Sequence, residues 1–263
     1  LGNKAFKRLG GELQALYRDY ALHRDLDRFG LDVDMADARM FAAEEVAGSE
    51  QRLEFFLHPY VARGAGTILF APPGSTKSFL GLLMAVSIDA GVNAIWPVAK
   101  RRRVLFVNLE RSQESVAGRL WQINRVLGLP PNRKLLMINA RGKTLAAVGA
   151  AVARTVDKQA VETVVLDSLS RAGGDLNENK DVNAVMDMLN GLGGAWLAIG
   201  HSPRGNADHV FGSVMADAAA DLTVKVQSER QGDTTGVSLK MLKTNDIPIQ
   251  PVQLLALEFD ASG

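Results

Sequence analysis

Residues 66–80 read GTILFAPPGSTKSFL, and this stretch decides the fold. A short apolar run at residues 67–70 is followed by a turn that contains proline and glycine, and then by a helical pattern. A strand, a tight turn and a helix start in direct succession are the context in which a loop can surround a phosphate group. The stretch therefore predicts a phosphate-binding loop. The alternative is a plain strand-to-helix turn with an exposed Lys77.

The loop carries the residue types that a P-loop needs. Backbone N–H groups at the helix start would surround the β-phosphate, Lys77 would lie against the β- and γ-phosphates, and the Ser78 hydroxyl would ligate Mg²⁺. We expect ATP and Mg²⁺ as ligands. The nucleotide-binding residues would be Pro73, Gly74, Ser75, Thr76, Lys77, Ser78 and Phe79.

Two positions of the loop depart from the usual pattern. Ala71 stands at the first glycine, and Thr76 stands at the glycine just before the lysine. A side chain at Thr76 could crowd the phosphate or tighten the turn. The sequence thus predicts nucleotide binding and leaves the rate of hydrolysis open.

Outward from the loop, short runs of branched apolar residues alternate with helical patterns. The runs cover residues 67–70, 104–109, 135–139, 163–166 and 195–199, and the helical patterns cover 77–89, 113–127, 145–157 and 182–192. This alternation is typical of an α/β fold with a mainly parallel twisted sheet flanked by helices. Beyond residue 221 the residues alternate around a turn at Gly232, which predicts C-terminal antiparallel strands.

The residues before this core have a different texture. Apolar residues at 6–29 recur at three- and four-residue steps, which predicts an amphipathic helix, and residues 32–54 form a more acidic stretch. We therefore divide the chain into an N-terminal helical extension or linker, residues 1–54, and an ATPase domain, residues 55–263. Because the first residue is Leu1, a neighbouring domain, fused or separate, is a further expectation, and the family resemblance described below implies that it would be a replication domain.

Composition excludes several classes of function. The 263 residues carry 30 Lys+Arg against 29 Asp+Glu, so the chain is not a polybasic binder. The absence of cysteine excludes disulfides, thiolate zinc sites and iron–sulfur clusters. The longest apolar stretch, residues 79–88, is too short for a bilayer, so we expect a soluble, cytoplasmic protein with no membrane partner. A basic cluster at residues 100–103 is either a nucleic-acid contact or a solvated strand entry.

Two acids end apolar runs. Asp167 ends the run TVVLD, which we expect to lie beside the P-loop strand, where the carboxylate would hold the Mg²⁺ water shell. It could otherwise cap the next turn. Glu110 ends the run VLFVNLE and is either a general base for the attacking water or an acid that favours the dipole of the next helix.

Together these motifs resemble the RecA-like ATPases, in the branch that holds DnaB-type replicative helicases and plasmid RepA-type helicases. The resemblance spans about residues 55–257 and rests on the order P-loop, Val-Asn-Leu-Glu110, Leu-Asp167-Ser168-Leu-Ser-Arg171 and Ala-Ile-Gly-His201-Ser202. It implies a RecA-like core in which Glu110 activates water and Asp167 serves Mg²⁺. It also implies that His201 reads the γ-phosphate and couples it to a DNA-facing loop. A strand-end histidine satisfied by backbone is the alternative for His201.

The resemblance also implies contacts beyond one active site. Arg171 and Arg204 are candidate nucleic-acid contacts, although a solvated loop arginine explains Arg204 nearly as well. Lys243 matches the lysine of a Lys-x-Arg pair that acts in trans on the neighbour's nucleotide, but Asn245 stands where the arginine is expected. The implied assembly is a homo-oligomer, a hexameric ring with active sites at subunit interfaces.

The function that the resemblance implies is an ATP-hydrolysing, Mg²⁺-dependent helicase or translocase that acts on single-stranded DNA in DNA replication. The alternative is a slowly hydrolysing, ATP-gated protein for DNA binding, loading or recombination mediation, to which Thr76 and Asn245 would point. A small-molecule P-loop kinase is a third reading. It is disfavoured because no arginine-rich lid segment stands out.

Overall fold

The computed structural model describes residues 53–203, 209–212 and 214–258, and the fold is given for these residues. They form ten strands and six helices. The strands are β1 (Phe55–Leu57), β2 (Val61–Ala62), β3 (Gly66–Ala71), β4 (Val104–Asn108), β5 (Leu136–Asn139), β6 (Thr163–Asp167), β7 (Ala195–His201), β8 (Leu222–Gln231), β9 (Thr234–Thr244) and β10 (Gln253–Glu258). The helices are α1 (Lys77–Ala90), α2 (Gln113–Val126), α3 (Leu145–Gln159), α4 (Leu169–Ala172), α5 (Asn179–Asn190) and α6 (Val214–Ala219).

Eight of these strands form one mixed sheet in the order β10-β9-β8-β3-β7-β6-β4-β5. Every neighbouring pair along the sheet from β8–β3 to β4–β5 is parallel. The pairs β8–β9 and β9–β10 are antiparallel. The predicted α/β class, with a mainly parallel sheet and C-terminal antiparallel strands, is confirmed. The short strands β1 and β2 pair separately.

The expected position of the Asp167 strand is wrong in one respect. Strand β6 does not lie beside the P-loop strand β3, because β7 is inserted between them and pairs with both. The carboxyl ends of parallel strands still meet at one edge of the sheet, so Asp167 and the loop after β3 remain neighbours.

The sheet is covered on both faces, which explains why its central strands read as continuous apolar runs. On one face, Phe106 and Val165 pack with α1 and α2 residues such as Leu83. On the other face, Leu166 packs with α3 and α5 residues such as Val152. Each of these buried side chains contributes roughly 1.5–3 kcal/mol relative to exposure.

Helix α1 lies unusually close to the sheet. A Cβ atom at Gly81 would come 2.5 Å from the end of the Ile199 side chain on β7, so a larger residue would require that side chain to move. The helix is also buried almost all round, with Leu80, Leu83 and Met84 no more than 2% exposed. This packing fixes the start of α1, and with it Lys77 and Ser78, against the ends of β3 and β7.

The predicted strands and helices match observed ones, with ends that differ by at most three residues. Three features were not predicted. Strands β1 and β2 have only three and two residues, α4 has only four, and β10 follows a stretch broken by prolines at 248 and 251. Such short or interrupted segments carry too few residues for a periodic pattern.

The basic cluster at residues 100–103 serves the strand entry. Arg102 forms ion pairs with Glu54 and Glu162, and Arg101 Nε donates to the Asp89 carbonyl at 2.9 Å. The strand-entry reading therefore accounts for both arginines.

The predicted helix at residues 6–29 and most of the acidic stretch lie outside the described residues, and the domain boundary at residue 54 stays a prediction. Among the described residues, no helix is both long and apolar enough to cross a membrane.

Candidate nucleotide-binding site

A cleft of about 300 Å³ opens where the central strands end. The loop predicted to bind nucleotide forms one wall, and Glu110 and His201 reach the cleft from the ends of β4 and β7. The other side comes from the start of the β4–α2 connection and from α2. The lining residues are Pro73, Gly74, Ser75, Thr76, Lys77, Ser78, Phe79, Glu110, Arg111, Arg119, Gln122, Ile199 and His201.

The loop closes through left-handed backbone conformations. Gly74 has φ +82°, and Thr76, the residue just before α1, has φ +59° and ψ +4°. The Thr76 hydroxyl donates to the Ser75 carbonyl at 2.6 Å, and the Ser75 hydroxyl donates to the Pro72 carbonyl at 2.7 Å. Thr76 thus adopts the conformation that the usual glycine would adopt, and its side chain tightens the turn.

A left-handed threonine is strained, because a residue with a Cβ pays about 1–2 kcal/mol in this region. We expect Thr76→Gly to change the free energy of unfolding by less than about 1 kcal/mol, since relief of strain offsets the greater backbone freedom of glycine. Thr76→Val should be less stable than the unaltered protein by about 1 kcal/mol, because it keeps the strain and loses the hydroxyl contact. Urea denaturation of the three proteins measures both values. A valine variant as stable as the unaltered protein would contradict the contribution of the hydroxyl contact, and a glycine variant destabilised by well over about 1 kcal/mol would contradict the assigned strain.

Lys77 is the first residue of α1 and is only 5% exposed. Its Nζ donates to the Pro72 carbonyl at 2.8 Å and lies 3.4 Å from His201 Nδ1. Burial lowers the pKa of Lys77 to about 8, and the nearby Glu110 and Asp167 only partly oppose this. The ammonium is therefore desolvated and poorly neutralised, so an anion in the cleft would favour its charged form.

Ser78 and Asp167 lie together beneath the loop. The Ser78 hydroxyl donates to Asp167 Oδ1 at 3.1 Å, and Asp167 is 1% exposed. Burial, and then repulsion from Glu110, raises the pKa of Asp167 to about 6. These two oxygen donors fit Mg²⁺, and a cation between the carboxylates would remove their repulsion. No cluster of three or more His, Asp or Glu side chains able to hold a metal occurs in the described part of the chain.

Glu110 is held in the cleft by a serine hydroxyl. Its Oε2 accepts from the Ser168 hydroxyl at 2.7 Å, and that hydroxyl lies 2.8 Å from the Ser170 hydroxyl. The alternative role at the helix start is taken by other residues. Ser112 caps α2 by accepting from the Ser115 N–H, and Glu114 is the acid of its first turn. The geometry therefore favours the general-base reading, whose chemical role stays a prediction.

His201 ends β7 and faces the loop. Burial, and then the charge on Lys77, lowers the pKa of His201, so its ring is neutral at pH 7. With Lys77 as the donor, Nδ1 accepts and Nε2 carries the proton. The Phe211 N–H donates to the His201 carbonyl at 2.6 Å, which ties the strand end to the residues after the loop. Arg204, the predicted nucleic-acid contact in that loop, lies outside the described residues.

Two predicted residues lie away from the cleft. Lys243 Nζ donates to the carbonyls of Asp217, Ala218 and Ala220, at 2.7, 3.2 and 2.6 Å, and so binds the C-terminal end of α6 in its own chain. Arg171 is exposed on α4. The action of Lys243 in trans and the contact of Arg171 with nucleic acid both stay predictions.

Three polar lining residues, namely Arg111, Arg119 and Gln122, were not predicted from the sequence. Arg111 directly follows Glu110, and the other two lie three residues apart on α2. Such spacing places residues on one helix face. A polar pair on the face of the helix that follows Glu110 was the available signal.

The shifted pKa values of Asp167 and Lys77 predict how nucleotide binding depends on pH. Because Asp167 is protonated below about pH 6, we expect the affinity for Mg²⁺-nucleotide to fall about tenfold per pH unit there. Above about pH 8 Lys77 loses its proton, so affinity should fall again. Calorimetric titration with and without Mg²⁺ from pH 5 to 9 measures both limbs. In Asp167→Asn the loss of affinity below about pH 6 should disappear. If affinity still falls there, the fall comes from protonation of the nucleotide and not of Asp167.

Comparison with protein families gave one finding. The AAA_25 family model, described as an AAA domain, matches residues 35–207, about two thirds of the 263-residue chain. The matched segment contains the loop, Glu110, Asp167 and His201, and it ends before Lys243. A comparison with curated proteins gave no match.

Proposed function

The chain belongs to this AAA-domain family and is an ATPase of the P-loop type, and from that premise we propose that it is an ATP-driven motor on single-stranded DNA. In this proposal it is a helicase or translocase of the DnaB/RepA type. The observation that supports hydrolysis most strongly is the convergence of Lys77, Glu110 and His201 on one cleft. Each comes from a different strand end, so the arrangement depends on the whole fold.

The phosphates of ATP would lie against the loop and the start of α1. Backbone N–H groups there favour negative charge, and Lys77 adds a cation that can interact with both the β- and γ-phosphates. Ser78 and Asp167 would hold Mg²⁺, which when bound neutralises charge on the β- and γ-oxygens. Their existing contact at 3.1 Å keeps both oxygens at one point of the cleft.

Glu110 would act on the attacking water. Ser168 fixes one carboxylate oxygen, which leaves the other free to accept a proton from water in line with the γ-phosphorus. The new bond forms from the water oxygen to phosphorus, the bond to the β-phosphate oxygen breaks, and ADP and phosphate result. Lys77 stabilises the charge that develops on the leaving oxygen.

His201 would report the state of the γ-phosphate. Its neutral ring can donate from Nε2 to a phosphate oxygen, and loss of that phosphate removes the contact. The hydrogen bond from Phe211 to the His201 carbonyl connects this event to the segment that leads to α6. In the proposed motor, Arg171 and Arg204 contact the DNA backbone. The net charge of +1 means that such contacts are local and gain strength by addition across the subunits of a ring.

A second function is favoured by two observations. Thr76 strains the loop at φ +59°, and the Lys243 ammonium is fully engaged within its own chain. Both would slow hydrolysis, in which case ATP would gate assembly or loading on DNA rather than drive movement. Thr76→Gly distinguishes the cases, because turnover should rise well above that of the unaltered protein if the strained loop is limiting.

Steady-state ATP hydrolysis tests the proposal. Turnover is measured with Mg²⁺ across protein concentration, with single-stranded DNA, with RNA of the same sequence and with neither, beside Lys77→Ala. A rate per subunit that rises with protein concentration and with DNA supports the ring motor. Nucleotide binding without DNA-dependent turnover supports the gated alternative, and a rate unaffected by Lys77→Ala would overturn both.

A further inference from the structure

Two guanidinium groups face the cleft without partners. Arg111 and Arg119 both line it, and neither side chain forms a hydrogen bond or ion pair within the described part of the protein. The Nε atom of Arg111 is completely buried and unpaired. By contrast, Arg102 and Arg133, elsewhere in the fold, are each paired with a carboxylate. Both side chains are half-buried, and within the described residues neither has a carboxylate that neutralises it, so both guanidinium groups are available to an anion in the cleft.

The charges around the pair place it at the catalytic end of the cleft. Burial, and then repulsion from Arg111, lowers the pKa of Arg119, while Asp167 and Glu110 oppose this. Arg111 also repels the charge on Lys77. Both arginines are therefore within electrostatic range of the groups proposed to hold Mg²⁺ and to activate water. An anion between the two guanidinium groups would remove their mutual repulsion.

We propose that Arg111 and Arg119 form a cation pair that receives the γ-phosphate of ATP from within the same chain. The inference rests on the proposed function, because it needs ATP in this cleft. A guanidinium offers a planar set of donors that matches two phosphate oxygens at once, which suits a trigonal phosphoryl group during transfer. The pair would supply in cis part of the positive charge that an arginine at position 245 would supply in trans.

Selectivity for the third phosphate is the property that identifies this role. Calorimetry should compare ADP with the non-hydrolysable β,γ-imido analogue of ATP, for the unaltered protein and for Arg119→Gln. We expect Arg119→Gln to weaken analogue binding by roughly 10- to 100-fold, the range for charge-assisted hydrogen bonds, and to leave ADP binding within about twofold. Arg119→Lys should recover part of the loss, because it restores the charge without the planar donors.

The matched control is Arg125→Gln. Arg125 lies on the same helix six residues further on, is exposed, and stacks over the Trp121 ring at 4.6 Å, so its removal should leave both ligands unaffected. Arg111→Gln and the double variant complete the set. Because both residues contact one phosphate, the double variant should lose less than the product of the single losses.

The outcomes separate the inference from the function on which it rests. If the unaltered protein binds neither ligand, the ATP site itself is wrong. If it binds both and Arg119→Gln loses ADP and the analogue equally, Arg119 has a structural role and the inference is overturned. Unchanged binding of both ligands in Arg111→Gln and Arg119→Gln overturns it as well.

Discussion

Replacing Glu110 with glutamine is expected to reduce steady-state ATP turnover by roughly 10²- to 10⁴-fold while ATP affinity changes by less than about twofold. Glutamine has the shape of glutamate. Its amide oxygen can still accept from the Ser168 hydroxyl, which in the unaltered protein donates to Glu110 Oε2 at 2.7 Å. The fold and the cleft should therefore persist. What is lost is the carboxylate that accepts a proton from the attacking water.

Glu114→Gln is the matched control for this experiment. Glu114 is exposed, lies four residues further on in the first turn of α2, and is absent from the lining of the cleft. Its replacement should leave turnover unchanged. Normal turnover in Glu110→Gln would remove Glu110 from the mechanism. Equal loss of binding and turnover would make it a residue for binding alone.

Replacing Lys77 is expected to have the largest effect on nucleotide binding. Lys77→Ala should weaken ATP binding by at least about tenfold, because in the proposed site the lysine would make charge-assisted contacts with two phosphates. Lys77→Met removes the charge and keeps most of the volume, so it separates electrostatics from packing. Lys143→Ala, an exposed lysine outside the cleft, is the control.

Lys77→Met should also change how the free energy of unfolding depends on pH, in the absence of ATP. The pKa of Lys77 is about 8 in the fold and 10.5 in the reference state, so the unfolded chain binds more protons between these values. Stability should therefore rise with pH across this window, as the unfavourable buried charge is lost. Urea denaturation at pH 7.5 and 10 should show a smaller rise for Lys77→Met than for the unaltered protein. An equal rise in both would contradict a desolvated Lys77.

The sequence analysis anticipated the architecture because the central strands are buried on both faces. The runs that end at Asn108 and Asp167 are apolar up to their last residue, and such runs alternate with helical patterns. The loop, Glu110 and His201 were found for a related reason. Parallel strands deliver their last residues to one edge, so strand ends are the places to look for a site.

Other features depend on contacts that periodicity does not encode. The insertion of β7 between β3 and β6 is a matter of strand order, which a linear pattern does not fix. The conformation of Thr76 follows from the closure of the loop onto α1, against the local preference of threonine. Arg119 was missed because an arginine on an amphipathic helix normally lies on the solvent face, and only the folded structure shows that this one lines the cleft.

The engagement of Lys243 bears on how subunits of a ring would take turns. Its ammonium has three donors, and all three are used by carbonyls of residues 217, 218 and 220. A lysine that reaches a neighbour's nucleotide must first release the end of α6, the helix that follows the segment tied to His201. One side chain would then have two mutually exclusive positions. In the proposed ring motor, a subunit could stimulate its neighbour only while it loosens its own segment before α6, and the two events would alternate by competition for a single cation.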